Sequence, residues 1–148
     1  GRVMPQILIG LSAEALGIMA TLNTLTVEYS KTRQQFGAPI GSFQVLQHRM
    51  VDTFMGCEQT KSMLYRGLCE SKSETDAVAL AKTVHALKAT VARYGKIIGE
   101  EAIQLHGGIG MTDELNIGHY VKRLMMINTS YGDGDFHQKA FNQLSYSA

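Results

Sequence analysis

Apolar side chains recur at spacings of three and four residues along most of this chain, and this repeat is the feature that most restricts its fold. Such spacing places the side chains on one face of an α-helix. The first stretch runs from Met4 to Tyr29, and the whole sequence holds two prolines, Pro5 and Pro39, that could interrupt a helix. No stretch alternates apolar and polar residues in the manner of a strand. The pattern therefore predicts an all-α protein.

Turn-forming residues interrupt the repeat and set the limits of the predicted helices. The first helix ends near Ser30, before a loop that contains glycine and proline. The second begins at Ser42, which can act as an N-cap, and runs to about Ser71. Its predicted inward side chains are Leu46, Met50, Phe54, Cys57, Leu64 and Leu68. Ser73 and Asp76 resemble a capping box and would start the third helix. The predicted inward stripe of that helix is Leu80, Val84, Leu87, Val91, Tyr94, Ile98 and Leu105.

The third helix ends where His106 is followed by two glycines, which supply the left-handed turn that terminates helices. Thr112 is expected to cap a shorter fourth helix that runs to about Asn128, and a fifth piece spans roughly Phe136 to Leu144. Long helices joined by short loops pack as an up-down bundle of antiparallel helices. Their length leaves more apolar flank than such a bundle covers, so the sequence also predicts an oligomer.

Composition excludes several classes of protein. The chain carries 14 basic and 13 acidic residues, a net charge of +1, which argues against a nucleic-acid binder because such a protein needs a basic face. No uninterrupted apolar run approaches the roughly 20 residues that span a bilayer, so no membrane insertion is expected. Cys57 and Cys69 lie in helical segments and are interpreted as small buried hydrophobes. With no basic leader and cleavage site, we expect a cytoplasmic location.

The usual catalytic and metal-binding motifs are absent from the sequence. There is no HExxH, CxxC or P-loop, and the five histidines form no HxxxH or HxxE pair, so no metal site is predicted. The eight methionines are interpreted as core filler. Gly107, Gly108 and Gly110 either bring backbone close to a ligand or merely end a helix, and spacing alone leaves the two alternatives equal.

A second unusual loop lies between the first two predicted helices. It contains Arg33, Gln34, Gln35 and Phe36. An arginine with glutamines and an aromatic ring can bind a phosphate and a planar ring together. Spacing alone favours a solvated loop in which Phe36 packs against the helices.

The segment TRQQFGAPIGSFQVLQHRMVD resembles a signature of the acyl-CoA dehydrogenase family, which reads RxQFGxPI and then FQxxQ with a following Asp. A second signature, QxxGGxGxxxE, is matched from Gln104 to Glu114, and a following basic position is matched by Arg123. Together the two motifs cover essentially the whole chain. The resemblance implies that residues 1–148 are the C-terminal helical-bundle domain of a three-domain flavoenzyme whose two preceding domains are absent.

The resemblance also implies FAD as the cofactor, lying across a subunit interface of a homo- or hetero-tetramer. In the family, the arginine of the first signature contacts the FAD pyrophosphate, and the glycine turn approaches the adenosine end from the partner subunit. An acyl-CoA substrate and an electron-transferring flavoprotein as the acceptor are implied as well. The cofactor-binding residues implied in this chain are Arg33, Gln35, Phe36, Gln104, Gly107 and Gly108.

The sequence departs from the family at the base that takes the α-proton of the acyl thioester. Most members carry a glutamate nine residues after the position of Arg123, and here that position is Gly132. Others place the base early in the first helix, but residues 1–13 contain no Asp or Glu. Either Asp133 or Asp135 supplies the carboxylate after a small shift of the turn, or the chain is a base-less subunit that pairs with a base-bearing relative.

Three function classes remain open from the sequence. The first is an acyl-CoA dehydrogenase, alone or in a heteromer, the second is a non-catalytic helical scaffold, and the third is a relative of the acyl-CoA oxidases. Two FAD-contacting residues of the family, a Thr and a Gln, correspond here to Gly134 and Phe136. The ending resembles the small subunits of two-gene dehydrogenases, which slightly favours a base-less subunit. The isolated domain is expected to be inactive.

Overall fold

The computed structural model describes residues 3–32, 34–35, 37–39, 41, 43–73, 76–107 and 114–147. Within these ranges the chain forms five helices: α1 Val3–Thr32, α2 Gln44–Lys72, α3 Ala77–Gly107, α4 Glu114–Thr129 and α5 Gly134–Tyr146. Strands β1 Gln34–Gln35 and β2 Ala38–Pro39 pair as an antiparallel hairpin between α1 and α2. The predicted all-α bundle is confirmed. The hairpin was not predicted, because strands of two residues are too short to show alternation.

Helix α3 is the centre of the bundle and packs against the other four helices. Helices α1 and α2 pack on each other as well, and α4 also contacts α1. The apolar faces of α1, α2, α3 and α4 meet at a common core, as the spacing predicted. Its fully buried members include Leu8, Ala15, Met19 and Leu22 of α1, Val84, Leu87, Val91 and Ile98 of α3, and Leu124 and Ile127 of α4.

Helix α1 is the one helix in the described part of the chain that is long and apolar enough to cross a membrane, judged by length and composition. Its sequence nevertheless contains no uninterrupted apolar run of about 20 residues. The apolar face of α1 packs against α2, α3 and α4 in the bundle, so core packing explains its composition. A single helix of this kind is weak evidence for a membrane span.

The start of α3 differs from the predicted capping box. The Asp76 carboxylate accepts a hydrogen bond from the backbone N–H of Val78 at 3.1 Å, so Asp76 itself is the N-cap. The Ser73 hydroxyl instead donates to the carbonyl of Glu70 at 3.2 Å and closes the end of α2. The proposed Ser73–Asp76 box is therefore wrong. The predicted caps Ser42 and Thr112 lie outside the described residues.

Several side chains predicted to face inward are exposed. Phe54 of α2 is 57% exposed, and Cys69 also lies on the surface. Cys57 is buried as predicted, and burial raises the pKa of its thiol to about 11, so it is not a nucleophile at neutral pH. The interpretation of the methionines as core filler holds for Met19 but is wrong for four others. The exposed ones are Met4, Met55, Met125 and Met126.

Gly56→Ala is expected to lower the free energy of unfolding by about 1–3 kcal/mol through overpacking. Gly56 is buried on α2, and a Cβ built there would lie 2.5 Å from Cδ1 of Tyr94 on α3. The hydroxyl of Tyr94 donates to Gln59 Oε1 at 2.6 Å, which resists movement of the ring. Denaturant unfolding measures the change.

Gly10→Ala is the matched control for this substitution. Gly10 lies within α1, and a Cβ there meets no atom within 4 Å. It should raise stability by about 0.5–1 kcal/mol because alanine is the better helix former. A Gly56→Ala protein as stable as Gly10→Ala would contradict the close packing of α2 on α3.

Candidate functional site

The two motif-bearing segments meet at one end of the bundle. Tyr29, near the end of α1, packs its ring on that of His106 near the end of α3, with 4.4 Å between ring centroids. Gly41, just before α2, lies so close to the end of α1 that a Cβ there would be 2.9 Å from Ser30 Oγ. The hairpin that follows α1, the start of α2 and the end of α3 therefore share this end, which we call the hairpin end.

Arg49 links α2 to α3 at the hairpin end. Its Nε and Nη2 atoms donate to Glu101 Oε1 at 3.1 and 2.8 Å, and Nη2 also donates to Gln104 Oε1 at 2.9 Å. A guanidinium can only donate hydrogen bonds, so the amide of Gln104 must turn its oxygen towards Arg49. The NH₂ group of Gln104 therefore lies on the side of the amide away from Arg49.

A cavity of about 200 Å³ lies beside this pair, between α1, α2 and α3. Its lining includes Asn23, Thr26, Arg49, Thr53 and Gln104. The amide of Asn23 donates to the backbone carbonyl of Thr53 at 3.1 Å and ties α1 to α2 across the cavity. Ligand pockets typically measure about 300–1,000 Å³, so this cavity has room for only part of a ligand as large as a dinucleotide.

The predicted cofactor-binding residues are described to different extents. Arg33, Phe36 and Gly108 lie outside the described residues. Gln35 belongs to β1 and Gly107 is the last residue of α3, and for both the structure describes the backbone alone. Gln104 is the one whose side chain is described. Arg49 and Glu101, which orient it, were not found from the sequence, because residues 52 positions apart are paired only by the packing of α2 on α3.

The turn between α4 and α5, residues 130–133, holds the position at which most of the family carries its glutamate. Tyr131 and Gly132 have φ angles of 57° and 101°, both in the left-handed region that favours glycine. A Cβ at Gly132 would collide with the ring of Phe136 and lie 2.9 Å from Nε2 of His137. A side chain at position 132 would therefore require the ring of Phe136, which is 56% exposed, or that of His137 to shift.

The two predicted catalytic carboxylates flank this glycine. Asp133 is the N-cap of α5, and its Oδ1 accepts a hydrogen bond from the backbone N–H of Phe136 at 2.8 Å. Asp135 lies exposed in the first turn of α5, where a negative charge is favoured by the helix dipole. Both side chains therefore have a local role in starting α5.

A third carboxylate, Glu14 of α1, is bound by Arg123 of α4. Arg123 donates through Nε and Nη2 to the two oxygens of Glu14 at 2.7 and 2.9 Å. These hydrogen bonds hold the pKa of Glu14 below its usual value. A carboxylate with both oxygens engaged and a lowered pKa is a poor proton acceptor.

Three basic side chains, those of Lys88, His85 and His137, lie together beside the α4–α5 turn. The Nζ of Lys88 on α3 donates to the carbonyls of Asn128 and Gly132 at 3.2 and 3.0 Å. His137 of α5 lies 3.0 Å from the carbonyl of Tyr131 through Nε2, and its Nδ1 is 2.8 Å from Nδ1 of His85. Burial lowers the pKa of Lys88 and of both histidines.

This cluster was not predicted from the sequence, although one signal for it was present. Lys88 lies in the apolar stripe of α3, directly after Leu87 and between Val84 and Val91. A lysine at such a position is exceptional, because lysine is almost never fully buried unless it is paired. Its partners, however, are backbone carbonyls, which leave no trace in the sequence.

The α4–α5 turn is remote from the hairpin end of the same chain. Gly134 packs against Ala92 of α3, since a Cβ at Gly134 would lie 3.0 Å from the Cβ of Ala92. Ala92 and Gln104 are about 18 Å apart along α3 at the rise of an α-helix. The chain therefore presents two separate candidate regions.

Comparison with known proteins decides the family. The family described as acyl-CoA dehydrogenase, C-terminal domain, matches residues 9–139. The chain belongs to this family. It is similar to acyl-CoA dehydrogenase IpdE2 of Mycolicibacterium smegmatis, with 38% identity over 113 residues that cover 76% of this chain and 34% of that protein.

Two solved structures have the same fold. Butyryl-CoA dehydrogenase from Megasphaera elsdenii has a TM-score of 0.85 at 24% identity and matches 94% of this chain and 36% of its own. PigA with FAD and proline has a TM-score of 0.86 at 29% identity and matches 98% of this chain and 37% of its own. The chain spans about a third of the length of the relatives that it matches.

Proposed function

We propose that this chain is the C-terminal domain of an FAD-dependent acyl-CoA dehydrogenase that desaturates an acyl-CoA thioester between its α and β carbons. The domains that precede it in the relatives would complete the enzyme, because the chain spans about a third of their length. Its tasks are to contact FAD and to join subunits. Residues 1–148 alone are expected to be inactive. A cytoplasmic location and an electron-transferring flavoprotein as acceptor complete the proposal.

Of the proposed FAD contacts, the described residues Gln35, Gln104 and Gly107 lie at the hairpin end. Their support is the meeting of the two motif segments there and the orientation of Gln104 by Arg49. Because Glu101 already neutralises Arg49, the cation for the pyrophosphate is assigned to Arg33. When bound, FAD supplies the hydride acceptor for the β carbon. The full set of proposed contacts is Arg33, Gln35, Phe36, Gln104, Gly107 and Gly108.

Association of subunits, as a homo- or hetero-tetramer, is supported by apolar side chains on the outside of the bundle. The exposed ones on α2 are Val45, Val51, Phe54, Met55 and Tyr65, and those on α4 are Tyr120, Met125 and Met126. Exposed apolar side chains grouped on a helix are typical of a surface that another chain covers. The separation of about 18 Å between the hairpin end and the α4–α5 turn fits a cofactor shared between two subunits.

Of the two alternatives for the base, we favour a chain without one. The observation that carries this choice is the engagement of Asp133, whose carboxylate is the N-cap of α5 and accepts a hydrogen bond from the N–H of Phe136. Asp135 is exposed beside it, in the first turn of α5. In this proposal the α-proton is taken by a carboxylate of a related partner chain, and the present chain contributes FAD contacts and subunit packing.

Replacing Asp133 and Asp135 together by Asn should leave the turnover of the complete enzyme within about threefold of the wild type, because a true base contributes about 10²–10⁴-fold. Asn caps helices about as well as Asp, so α5 should still form. Steady-state rates with an acyl-CoA and an electron acceptor measure the effect. A loss of turnover of about 10²-fold or more would show that one of these two residues is the base.

Anaerobic addition of acyl-CoA thioesters to the full-length protein tests the proposal directly. The protein purified alone should contain FAD, and its flavin absorbance should not bleach with any thioester of the panel. Bleaching should appear once a base-bearing partner chain is added. Bleaching by the protein alone would show that this chain carries its own base, and a preparation that cannot be loaded with FAD would contradict the cofactor assignment.

A further inference from the structure

The α4–α5 turn is held by side chains from outside it. Three backbone carbonyls, those of Asn128, Tyr131 and Gly132, face buried nitrogen atoms of Lys88 or His137 at 3.0–3.2 Å. Lys88 is 0% exposed and His137 is 1% exposed. A buried polar group without a partner costs about 1–3 kcal/mol, so Lys88 and His137 are held to the carbonyls of the turn by these hydrogen bonds.

The geometry fixes which ring nitrogens of the two histidines carry hydrogen. A carbonyl only accepts, so Nε2 of His137 must carry a proton to bond Tyr131. In the neutral ring Nδ1 of His137 is then an acceptor, and the short Nδ1–Nδ1 contact requires His85 to donate through its own Nδ1. The half-buried His85 therefore supports His137, and His137 supports the turn.

Carbonyl groups near the end of α4 explain why the ammonium group of Lys88 can be buried. None of the ion pairs among the described residues includes Lys88, so its ammonium group is held by carbonyl oxygens. Asn128 lies in the last turn of α4, where helix carbonyls lack intrahelical partners and the helix dipole favours a cation. The charge of Asp133, across the turn, also favours the ammonium form.

These hydrogen bonds affect the backbone and the packing at Gly132. Two successive residues with left-handed φ angles are held in place, and Phe136 and His137 then fill the space beside the glycine. We propose that Lys88, His85 and His137 are positioning residues that lock the α4–α5 turn in a closed form, with the ring of Phe136 in the place of a catalytic side chain. We call these three residues the turn clamp. This inference rests on the proposed function, because that function makes position 132 the place at which most of the family carries its catalytic glutamate.

Three substitutions at His137 in the full-length protein separate hydrogen bonding from packing. His137→Gln keeps a donor near the position of Nε2, His137→Asn keeps a polar group near Nδ1, and His137→Phe keeps the ring shape without either. Hydrogen–deuterium exchange of the backbone amides of residues 130–137 reports on the turn. We expect exchange to rise at least about tenfold in the Phe and Asn variants and to stay within about threefold of wild type in the Gln variant.

A pair of lysine variants supplies a second, independent measurement. Lys88→Met removes the donor to Asn128 and Gly132, and exchange at the turn should again rise at least about tenfold. Lys82→Met is the control, because Lys82 lies on the same helix and its Nζ is 5.7 Å from the ring centre of Phe141, away from the turn. It should leave the exchange of the turn unchanged.

The measurements test the turn clamp and the proposed function separately. If the Phe variant protects the turn as well as the Gln variant, His137 acts by packing and the inference is overturned. Unchanged exchange in Lys88→Met would overturn it equally. FAD content is measured in the same samples, so a protein without FAD would contradict the proposed function while the exchange pattern still tests the clamp.

Discussion

Gly132→Ala is expected to lower the free energy of unfolding by about 3 kcal/mol, from backbone strain and overpacking together. The φ angle of 101° disfavours any residue with a Cβ, and the new methyl group would meet Phe136 and His137. Relief would require the ring of Phe136 to swing away or the turn to leave Lys88. Denaturant unfolding of the variant beside the wild type measures the change.

Gly118→Ala is the control for a glycine-to-alanine change in the same part of the molecule. Gly118 lies within α4, and a Cβ there meets no atom within 4 Å. This substitution should stabilise the protein by about 0.5–1 kcal/mol. Equal stability of the two variants would mean that the α4–α5 turn tolerates a side chain and that its closed form is not fixed.

The same reasoning predicts that Gly132→Glu does not restore a working base. The larger side chain meets the same obstacles, so the variant should be at least as destabilised as Gly132→Ala, and acyl-CoA should not bleach its flavin. A stable Gly132→Glu protein that bleaches without a partner chain would show that the turn opens readily. That result would contradict the turn clamp.

The helices could be predicted from the sequence because their signal is local. The stripe of Leu80, Val84, Leu87, Val91 and Ile98 was correctly predicted to face the core, since a period of 3.6 residues specifies one side of a helix. Helix ends were less certain because competing caps lie close together. Ser73 and Asp76 are both good capping residues, and only the structure shows that the first closes α2 while the second opens α3.

The candidate regions depend on contacts that local patterns do not contain. Arg49 and Glu101 pair through the packing of two helices, and His85 meets His137 across α3 and α5. The sequence did place Asp133 and Asp135 beside Gly132, and the resemblance placed the missing glutamate there. It could not reveal that Phe136 and His137 fill the space, because that depends on the left-handed path of the turn.

Stability should fall as the pH is lowered from about 7 to 5, because His85 and His137 are held neutral in the folded protein. Burial lowers the pKa of both rings, and for His137 the charges of His85 and Lys88 act in the same direction. The carbonyl of Tyr131 and the carboxylate of Asp133 oppose this without reversing it. Below the ordinary histidine pKa of about 6.5 the unfolded chain therefore binds more protons than the folded chain.

The slope can reach about 1.4 kcal/mol per pH unit for each histidine, between its unfolded and folded pKa values. Protonation of both rings also breaks the bond between the two Nδ1 atoms, since each nitrogen is then a donor. Above about pH 7 the profile should be flat with respect to these residues. Unfolding is measured between pH 5 and 7, a range in which Glu14, whose pKa is lowered by Arg123, stays ionised in the folded protein.

Single substitutions assign the effect to the turn clamp. His137→Gln should remove the contribution of His137 and so reduce the slope of the free energy of unfolding against pH. His119→Gln should not reduce it, because His119 is exposed on α4. A profile that is flat below pH 6.5, or that rises as the pH falls, would contradict the neutral histidine pair. If His119→Gln reduces the slope as much as His137→Gln, the protons bind elsewhere, because the burial of His137 is what distinguishes the two residues.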